Sequence, residues 1–552
     1  MAERSTVSIE KKSLQRLAFV VPLVSAFLYL SYQMLFGPCT ISLQGLKVTG
    51  DLDFRFTSPD GKPLLSGHFD FGHPRPDSMD YGQTIIDRMD YCSSEYEYNT
   101  GCIEETHNQR IRITYERTSE GECYSVVREG LRCPTQEVKD CFDMRGAHWY
   151  GGFQSHTQPW PLDKSQLASA PYISTDLGSH GLGIGGVLER FFFNSNGVGI
   201  FVAHEVPLFV SLNPLGDHRL CFSARYDEGY YRNGGVSLPV LNYTICHAAN
   251  VRKIYNYMSR RFISHPQDIP DSHLFRHPVW STWAMFSKNI TQEKVLSFAA
   301  NITRFNFPAS QLEIDDEWTH QYGDLEFDEN KFPDAAAMEV RVGWASQSLP
   351  IIVRIFDRRS AWEAHEGGLQ TVIPAVLTAG LVGYPFILPD MIGGSGAYMD
   401  QTFGLGKLPD RELFVRWLEL NALMPTMQFS VPPWYYDDEV VNISRHYIEL
   451  HQAYSQTILE LAQESVLTGY PIIRPLWWVA PEDDVALTIS SQFLLGNSVL
   501  VAPVLVRGAR RRDIYLPEGT WEDKLRGDMI QGPVWLHDYE VLLEELPLFE
   551  KH

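Results

Sequence analysis

Positive charge is scarce in this 552-residue sequence: 46 Lys and Arg stand against 68 Asp and Glu, which makes the formal net charge −22. A surface that binds nucleic acid must be cationic to contact phosphates, so nucleic acid is excluded as the expected partner. Several enzyme motifs are also missing, among them a P-loop, H-E-x-x-H, G-x-S-x-G, EF-hand spacing and a G-x-G-x-x-G that follows a strand. No pattern calls for a metal or an organic cofactor. Carboxylates remain as the candidate catalytic groups.

Cysteine is absent from the second half of the chain. All eight cysteines precede residue 250, at Cys39, Cys92, Cys102, Cys123, Cys133, Cys141, Cys221 and Cys246. No two have C-x-x-C spacing, so metal binding is disfavoured, and buried free thiols are the remaining alternative to disulfides. The even count in one region predicts disulfides in an oxidising compartment, although the pairing is left open.

Long hydrophobic runs are rare, and only the 20 residues from Leu17 to Phe36 are long enough to span a bilayer. They exceed the apolar stretch of a cleaved signal peptide and lack its small-residue cleavage site. The run is preceded by the basic residues Arg4, Lys11, Lys12 and Arg16. The sequence therefore predicts a type II membrane protein with a cytoplasmic tail at 1–16, a signal anchor at 17–36 and a lumenal remainder. We expect the secretory pathway, specifically the endoplasmic reticulum membrane and nuclear envelope.

Four N-x-S/T sequons lie on the predicted lumenal side, at Asn242, Asn289, Asn301 and Asn442. A single sequon is a weak match, but four agree with the topology that the anchor predicts. We therefore expect a glycoprotein.

Three regions follow the anchor. Residues 37–265 alternate apolar and polar side chains between Gly, Asn and Asp turns, which predicts a β-sandwich with disulfides. Residues 275–476 combine short apolar strands with amphipathic helices, which is typical of an α/β domain. Residues 480–552 return to strands and predict a small C-terminal β domain. The fold class is thus multidomain α/β and β.

Charged side chains follow the short strands of the α/β region, where barrel enzymes assemble their sites. They are Asp315, Asp316, Arg341, Asp357 and Asp390. Three tryptophans, Trp280, Trp283 and Trp344, are interleaved with them. Carboxylates bind sugar hydroxyls and an indole covers the apolar side of a sugar ring, so the set predicts a sugar pocket.

Together, several segments resemble glycoside hydrolase family 31, the retaining α-glycosidases, and within it a membrane-anchored member. They are HPVWSTWAMF, QLEIDDEWTHQYGDLEFDENKFPD, RIFDRRSAW, GYPFILPDMIGG, LFVRWLEL and LLGNSVLVAPVLV. The resemblance implies an N-terminal β-sandwich, a (β/α)8 TIM barrel and a C-terminal β domain. It also implies that Asp357 is the general acid/base and that Asp315, Arg341, Asp390 and Trp283 bind substrate.

The chain departs from the family at two positions. Phe356 and Arg358 flank Asp357 where the family motif carries Gly and Asn. Ser430 stands where glucosidases carry a substrate-binding histidine, which disfavours an α-glucoside. Resemblance to the anchored member favours an α-galactoside. We expect an α-linked glycan or glycoside as substrate, with α-glucosidase activity as an alternative.

The nucleophile is unknown, because the family's K-F-D-A-G-E-like strand end has no counterpart between Asp315 and Arg341. The α/β region offers six strand-like runs, whereas a closed barrel has eight strands. Only four residues separate Asp334 from the strand-like EVRVGW, too few for a crossover helix. We therefore predict that about two βα units are missing near 338–339.

Two functions follow from this pattern. The first is a retaining exo-α-glycosidase, in which Asp357 protonates the leaving oxygen. The second is a membrane-anchored carbohydrate-binding or scaffolding protein without catalysis, because the nucleophile segment is absent. A homo-oligomer is compatible with either function.

Overall fold

A computed structural model describes residues 41–70, 100–338, 352–395 and 408–552, apart from residues 44, 50, 51, 59, 106–108, 131–136, 178–181 and 234–236. The predicted tail and anchor at 1–36 lie outside this range. In the part that is described, no helix combines the length and apolar character that a membrane span requires.

The described part of the N-terminal region contains fifteen strands. They are β1 (Ile41–Leu43), β2 (Leu46–Val48), β3 (Asp53–Thr57), β4 (Pro63–Asp70), β5 (Thr100–Glu105), β6 (Gln109–Arg117), β7 (Glu122–Gly130), β8 (Glu137–Asp143), β9 (Trp149–Phe153), β10 (Leu167–Pro171), β11 (Leu188–Asn194), β12 (Val198–Val202), β13 (Leu208–Leu212), β14 (Arg219–Arg225) and β15 (Val240–His247). The strands form one eight-stranded sheet, β1-β2-β3-β4-β8-β14-β13-β10, and one seven-stranded sheet, β5-β6-β7-β15-β12-β11-β9. Alternating apolar residues of both sheets share one buried core, as the sequence pattern predicts for a sandwich.

Among the described cysteines, one disulfide lies in each sheet of the sandwich. Cys123 is bonded to Cys246 and Cys141 to Cys221. In both pairs the cysteines are direct partners on adjacent antiparallel strands. The predicted disulfides are thus confirmed for these four residues. Cys39, Cys92 and Cys133 lie outside the described residues, as does the side chain of Cys102.

Helix α1 (Val251–Phe262) connects the sandwich to the α/β region. Asn250 caps it by accepting a hydrogen bond from the backbone N–H of Lys253. Its buried face joins a second core, which continues from the outer side of the sandwich into the α/β and C-terminal regions. The three regions therefore pack against one another.

The described part of the α/β region contains short parallel strands and helices. Its elements are β16 (Val279–Ser281), α2 (Trp283–Phe286), α3 (Gln292–Arg304), β17 (Gln311–Glu313), β18 (Val353–Arg354), α4 (Val372–Leu381), β19 (Ile387–Leu388), α5 (Arg411–Asn421), β20 (Gln428–Phe429) and α6 (Asp438–Thr468). Strand β16 lies between β17 and β20, and β18 pairs with β19. A parallel bridge from Met391 to Gln428 brings the chain that follows β19 alongside β20.

These five strands correspond to five of the six predicted runs, and the sixth, at 339–344, lies outside the described residues. Among the strands that the structure describes, β17 and β18 are the two ends of the parallel set. In sequence, the predicted missing block lies between these two strands.

The C-terminal sheet has six strands, in the order β21-β22-β23-β26-β24-β25. They are β21 (Ile473–Arg474), β22 (Phe493–Leu495), β23 (Val499–Val501), β24 (Arg511–Asp523), β25 (Met529–Glu540) and β26 (Leu548–Lys551). Because β21 pairs with β22, the sheet begins at Ile473, before the residue 480 expected from the sequence.

Candidate active site

Side chains from the ends of β17 and β18 line one cavity of about 450 Å³. The lining residues are Trp283, Glu313, Ile314, Asp315, Asp316, Arg354 and Asp357. All of them lie at or just beyond the C-terminal ends of parallel strands, which is the catalytic face of barrel enzymes. The structure thus brings together Asp315, Asp316, Asp357 and Trp283, as the sequence predicts.

Asp357 lies at the cavity wall with 26% of its side chain exposed. Its Oδ1 is 2.5 Å from the Nη1 of Arg354, three residues earlier in the chain. The guanidinium therefore holds this carboxyl while leaving part of it open to the cavity. A charge-assisted contact of this kind restricts the orientation of Asp357.

Asp390 is fully buried behind Asp357 and does not line the cavity. Its Oδ1 accepts from Arg354 Nη2 and from the backbone N–H of Met391, both at 2.8 Å, and its Oδ2 accepts from the backbone N–H of Arg358 at 2.5 Å. Burial raises the pKa of Asp390 to about 6, although the charge of Arg354 opposes the shift. Its prediction as a substrate ligand by direct contact is not supported, because Arg354 lies between Asp390 and the cavity.

Glu313 and Asp315 both line the cavity at the end of β17. Burial raises the pKa of both carboxyls, and each gains a further upward contribution from neighbouring acids. Gln428 Nε2 donates to Glu313 Oε2 at 2.7 Å, and Thr282 Oγ1 accepts from the backbone N–H of Asp315 at 3.1 Å. These contacts fix the two acids next to the strand end.

Asp316 is held differently from Asp315. Its Oδ2 is 3.6 Å from Lys288 Nζ, and the same ammonium lies 3.4 Å from Glu317 Oε1. Asp316 thus forms the rim of the cavity, where a lysine partly compensates its charge.

Trp283 lines the cavity from α2, but Trp280 does not. The Trp280 side chain is buried and stacks on Phe429 and Trp434, with ring centroids 4.8 and 5.5 Å apart. The expectation that Trp280 contributes to a sugar pocket is therefore wrong, because its position within β16 turns the indole into the core. Trp344 and the predicted ligand Arg341 lie outside the described residues.

Ser430 follows β20 and is buried. Its Oγ accepts from the backbone N–H of Ala284 at 2.7 Å and donates to the carbonyl of Ser281 at 3.3 Å. The hydroxyl thus ties the end of β20 to the start of α2, so it holds main chain near the cavity.

Sequence reasoning missed Glu313 and Arg354. Glu313 could have been found from its spacing, since residues i and i+2 of a strand share a face and Asp315 was already a candidate. Arg354 precedes Asp357 by three residues in the run PIIVRIFD, and no local signal distinguishes it from an ordinary strand arginine. Only the contacts with Asp357 and Asp390 identify it.

The four predicted glycosylation sites all reach solvent. Asn289 and Asn442 are exposed, and Asn242 and Asn301 are half-buried. In the ranges that the structure covers, no group of three or more His, Cys, Asp or Glu side chains is arranged to hold a metal ion.

Three family domains match consecutive parts of the chain. The N-terminal domain of myogenesis-regulating glycosidase matches residues 105–228, the TIM-barrel domain of family 31 glycosyl hydrolases matches residues 357–458, and the C-terminal domain of that family matches residues 469–552. Glycoside hydrolase relatives thus account for all three regions.

Two relatives match about three quarters or more of the chain. The myogenesis-regulating glycosidase of Mus musculus is 35% identical over 535 aligned positions, which cover 73% of this chain and 74% of the relative. The SITS-binding protein of Tetronarce californica is 27% identical over 574 positions, covering 80% of each chain.

Among solved structures, a family 31 sulfoquinovosidase from E. rectale superposes with a TM-score of 0.65 at 12% identity, covering 92% of this chain and 97% of that one. A family 31 α-xylosidase from a soil metagenome has a TM-score of 0.61 at 15% identity, covering 93% and 97%. At these identities the structures establish the fold alone. The domain matches and the mouse relative confirm the resemblance that the motifs predicted: the chain belongs to glycoside hydrolase family 31.

Proposed function

We propose that this protein acts on α-linked glycosides, with α-galactosides preferred, by the chemistry of a retaining exo-α-glycosidase. The observation that carries the proposal is the convergence of Asp315, Asp316, Asp357 and Trp283 on one cavity at the strand ends of a family 31 chain.

Each side chain has a distinct part in this proposal. Asp357 protonates the leaving glycosidic oxygen with the oxygen that faces the cavity, while Arg354 holds the other. Asp315 and Asp316 accept hydrogen bonds from sugar hydroxyls, and the indole of Trp283 covers the apolar side of the ring. Asp390 does not line the cavity and instead orients Arg354 through an ion pair.

The preference for galactosides over glucosides is supported by Ser430. Glucosidases of the family are expected to present a histidine at this place, whereas the Ser430 hydroxyl is engaged with main-chain atoms of Ala284 and Ser281. Its side chain is also buried. A sugar that depends on that histidine would lose a partner here.

A second candidate is an anchored sugar-binding protein without hydrolysis, and the alignments favour it. The mouse alignment has 535 positions but covers 73% of the 552 residues, about 403, so about 130 positions of the relative have no counterpart here. For the SITS-binding protein, 574 positions at 80% coverage, about 442 residues, again leave about 130. Both differences support the loss of a block that would carry the nucleophile.

Turnover and binding separate the two candidates. The full chain is incubated with nitrophenyl α-galactoside and nitrophenyl α-glucoside, and binding of a non-hydrolysable S-linked α-galactoside is measured by calorimetry. A hydrolase releases nitrophenol from the galactoside faster than from the glucoside, and Asp357→Asn abolishes this release while the S-linked ligand still binds. Saturable binding without release supports the second candidate, and neither binding nor release contradicts both.

We also propose that the catalytic region is lumenal in the endoplasmic reticulum and nuclear envelope, tethered by residues 17–36. The two disulfides and the solvent access of the four sequons support an oxidising, glycosylating compartment. We expect the chain to resist carbonate extraction from microsomes and to gain mobility after endoglycosidase treatment. A carbonate-soluble chain of unchanged mobility would contradict this topology.

A further inference from the structure

Arg358, directly after Asp357, connects the proposed acid to another domain. Its side chain is only 1% exposed. Its Nη1 donates to the carbonyl oxygens of Ser155 at 3.2 Å and His156 at 2.7 Å. Both carbonyls belong to the loop that follows β9 in the N-terminal sandwich, so the guanidinium joins this loop to the end of β18.

The main chain of Arg358 is held as firmly as its side chain. Its N–H donates to Asp390 Oδ2 at 2.5 Å, and its carbonyl accepts from the N–H and Oγ of Ser395 at 2.7 and 2.9 Å. Gly394 has a φ of +77° and packs so closely that a Cβ there would lie 2.9 Å from the Arg358 carbonyl oxygen. The backbone next to Asp357 therefore has little freedom to shift.

The packing around the sandwich loop is equally close. A Cβ on Gly367, whose φ is +73°, would lie 2.4 Å from the ring of His156. Gln158, two residues further on, donates to Thr378 Oγ1 on α4 at 3.2 Å. The loop that accepts the guanidinium is thus seated on the barrel by independent contacts.

The guanidinium is an unusual group to bury at this place. Within the described structure its Nε and Nη2 have no hydrogen-bond partner, and burial lowers the pKa of Arg358 to about 10, while the charges of Asp390 and Asp357 oppose the shift. Burying a cation that is bonded to two carbonyls alone costs free energy. Buried charges with incomplete hydrogen bonding depart from the usual rules of packing, and such departures are expected mainly at functional sites.

We propose that Arg358 is a positioning residue. Its backbone, hydrogen-bonded to Asp390, fixes the position of the adjacent Asp357, and its guanidinium makes the placement of both acids depend on how the sandwich loop at Ser155 and His156 packs against the barrel. This inference rests on the proposed function, because it concerns ligand binding and proton transfer in the same cavity. It assigns the N-terminal sandwich a part in shaping that site.

The test compares Arg358→Asn, which installs the amide expected from the family motif, with Arg358→Lys and with Arg359→Asn as the matched control. Arg359 is exposed and its substitution removes the same charge one residue away. For each full-length variant, affinity for the S-linked α-galactoside is measured across pH, and unfolding is measured by urea. If Arg358→Asn does not fold, Arg358→Lys provides the comparison.

We expect Arg358→Asn to weaken binding by about 10- to 100-fold, the loss expected when one charge-assisted hydrogen bond to the sugar is misaligned. We also expect the pH midpoint of binding to rise, because removing the positive charge of Arg358 raises the pKa of Asp390. The other groups that face Asp390 are Arg354, Asp357 and the backbone N–H of Met391, and all variants retain them. Arg358→Lys keeps the charge, so its midpoint stays near that of the wild type while its affinity falls.

Several outcomes would overturn the inference. If Arg358→Asn matches Arg359→Asn in affinity and midpoint, the inference fails while the proposed function stands. A loss of affinity with an unshifted midpoint and a matching loss of unfolding stability reduces Arg358 to a structural contact. If the wild-type chain binds no α-glycoside, the proposed function fails and the inference fails with it.

Discussion

At the scale of single residues, several independent contacts constrain Asp390 in the proposed site. It is fully buried, adopts a left-handed φ of +69°, and accepts three N–H donors. A buried carboxyl survives only where hydrogen bonds or an opposite charge compensate the lost hydration. Arg354 provides the opposite charge, and the same guanidinium contacts Asp357. The Asp390–Arg354 ion pair therefore helps to position Asp357.

The raised pKa of Asp390 predicts a pH dependence of stability. The pKa of about 6 in the folded protein lies above the usual value near 3.9, so the folded state binds this proton more tightly than the unfolded state does. Its contribution is present at low pH and is lost as the pH rises from about 4 to about 6. Relative to Asp390→Asn, the wild type should lose about 2–3 kcal/mol of unfolding free energy across this window.

Urea unfolding at several pH values measures this difference. The exposed Asp217→Asn substitution is the control, because it makes the same chemical change far from the site. A wild-type curve that runs parallel to that of Asp390→Asn between about pH 4 and pH 6 would contradict the prediction.

At the scale of elements, the register of paired strands decides which cysteines form disulfides, a question that their spacing in the sequence leaves open. Eight cysteines allow many pairings, but the register of β8 with β14 places Cys141 opposite Cys221, and that of β7 with β15 places Cys123 opposite Cys246. Each bond thus closes a loop within one sheet, with sequence separations of 80 and 123 residues. Loops of this size remove much conformational entropy from the unfolded chain.

Replacing Cys141 and Cys221 together with serine should lower the free energy of unfolding by about 2–5 kcal/mol, through the entropy regained by the unfolded chain. The urea midpoint of the sandwich, followed under oxidising conditions, measures the loss. Adding a reductant to the wild type should reproduce much of it and leave the double variant less affected. Equal midpoints for oxidised wild type and variant would argue against this bond as a stabilising element.

The C-terminal region shows how pairing also overrides a local turn signal. The Glu518-Gly519 step in RRDIYLPEGTW suggests a turn between two strands, yet β24 continues through it from Arg511 to Asp523. The pairing with β25 shifts register between Leu516 and Gly519, so Gly519 lies at a β-bulge. A bulge keeps the long strand paired on both sides of the irregularity.

At the scale of the whole molecule, the sandwich, the barrel region and the C-terminal sheet share a continuous core. Within the described strands the parallel set ends at β17 and β18, and the proposed cavity lies between their C-terminal ends. In a complete barrel further strands separate these two edges. The family's nucleophile is expected between Asp315 and Arg341, so a strand that carried it would belong between these two edges.

This arrangement leads to a gain-of-function prediction. If the roughly 130 unmatched mouse positions form one segment at 338–339, as we propose, inserting that segment between Met338 and Glu339 should create turnover of nitrophenyl α-galactoside in a native chain that binds without hydrolysis. The physical reason is that retention needs a second carboxyl about 5–5.5 Å from Asp357.

The control for this chimera is a Gly/Ser insertion of the same length, which lengthens the chain without adding a strand. Changing the strand-end aspartate of the inserted segment to asparagine should remove the gained activity. Native chain and chimera turning over substrate at equal rates would show that the missing positions are dispensable.

The sequence by itself determined the order of domains, the family, the disulfide-bonded state of the four described cysteines and the acids at strand ends, because these depend on local periodicity and on motifs read in one dimension. Asp315, Asp357 and Trp283 were all predictable in this way. Only the tertiary structure decided the roles of Arg354 and Arg358, the disulfide pairing and the burial of Trp280, since each depends on contacts between residues far apart in the chain. A strand-end arginine reads the same whether it faces solvent or, as Arg358 does, carries a buried charge between two domains.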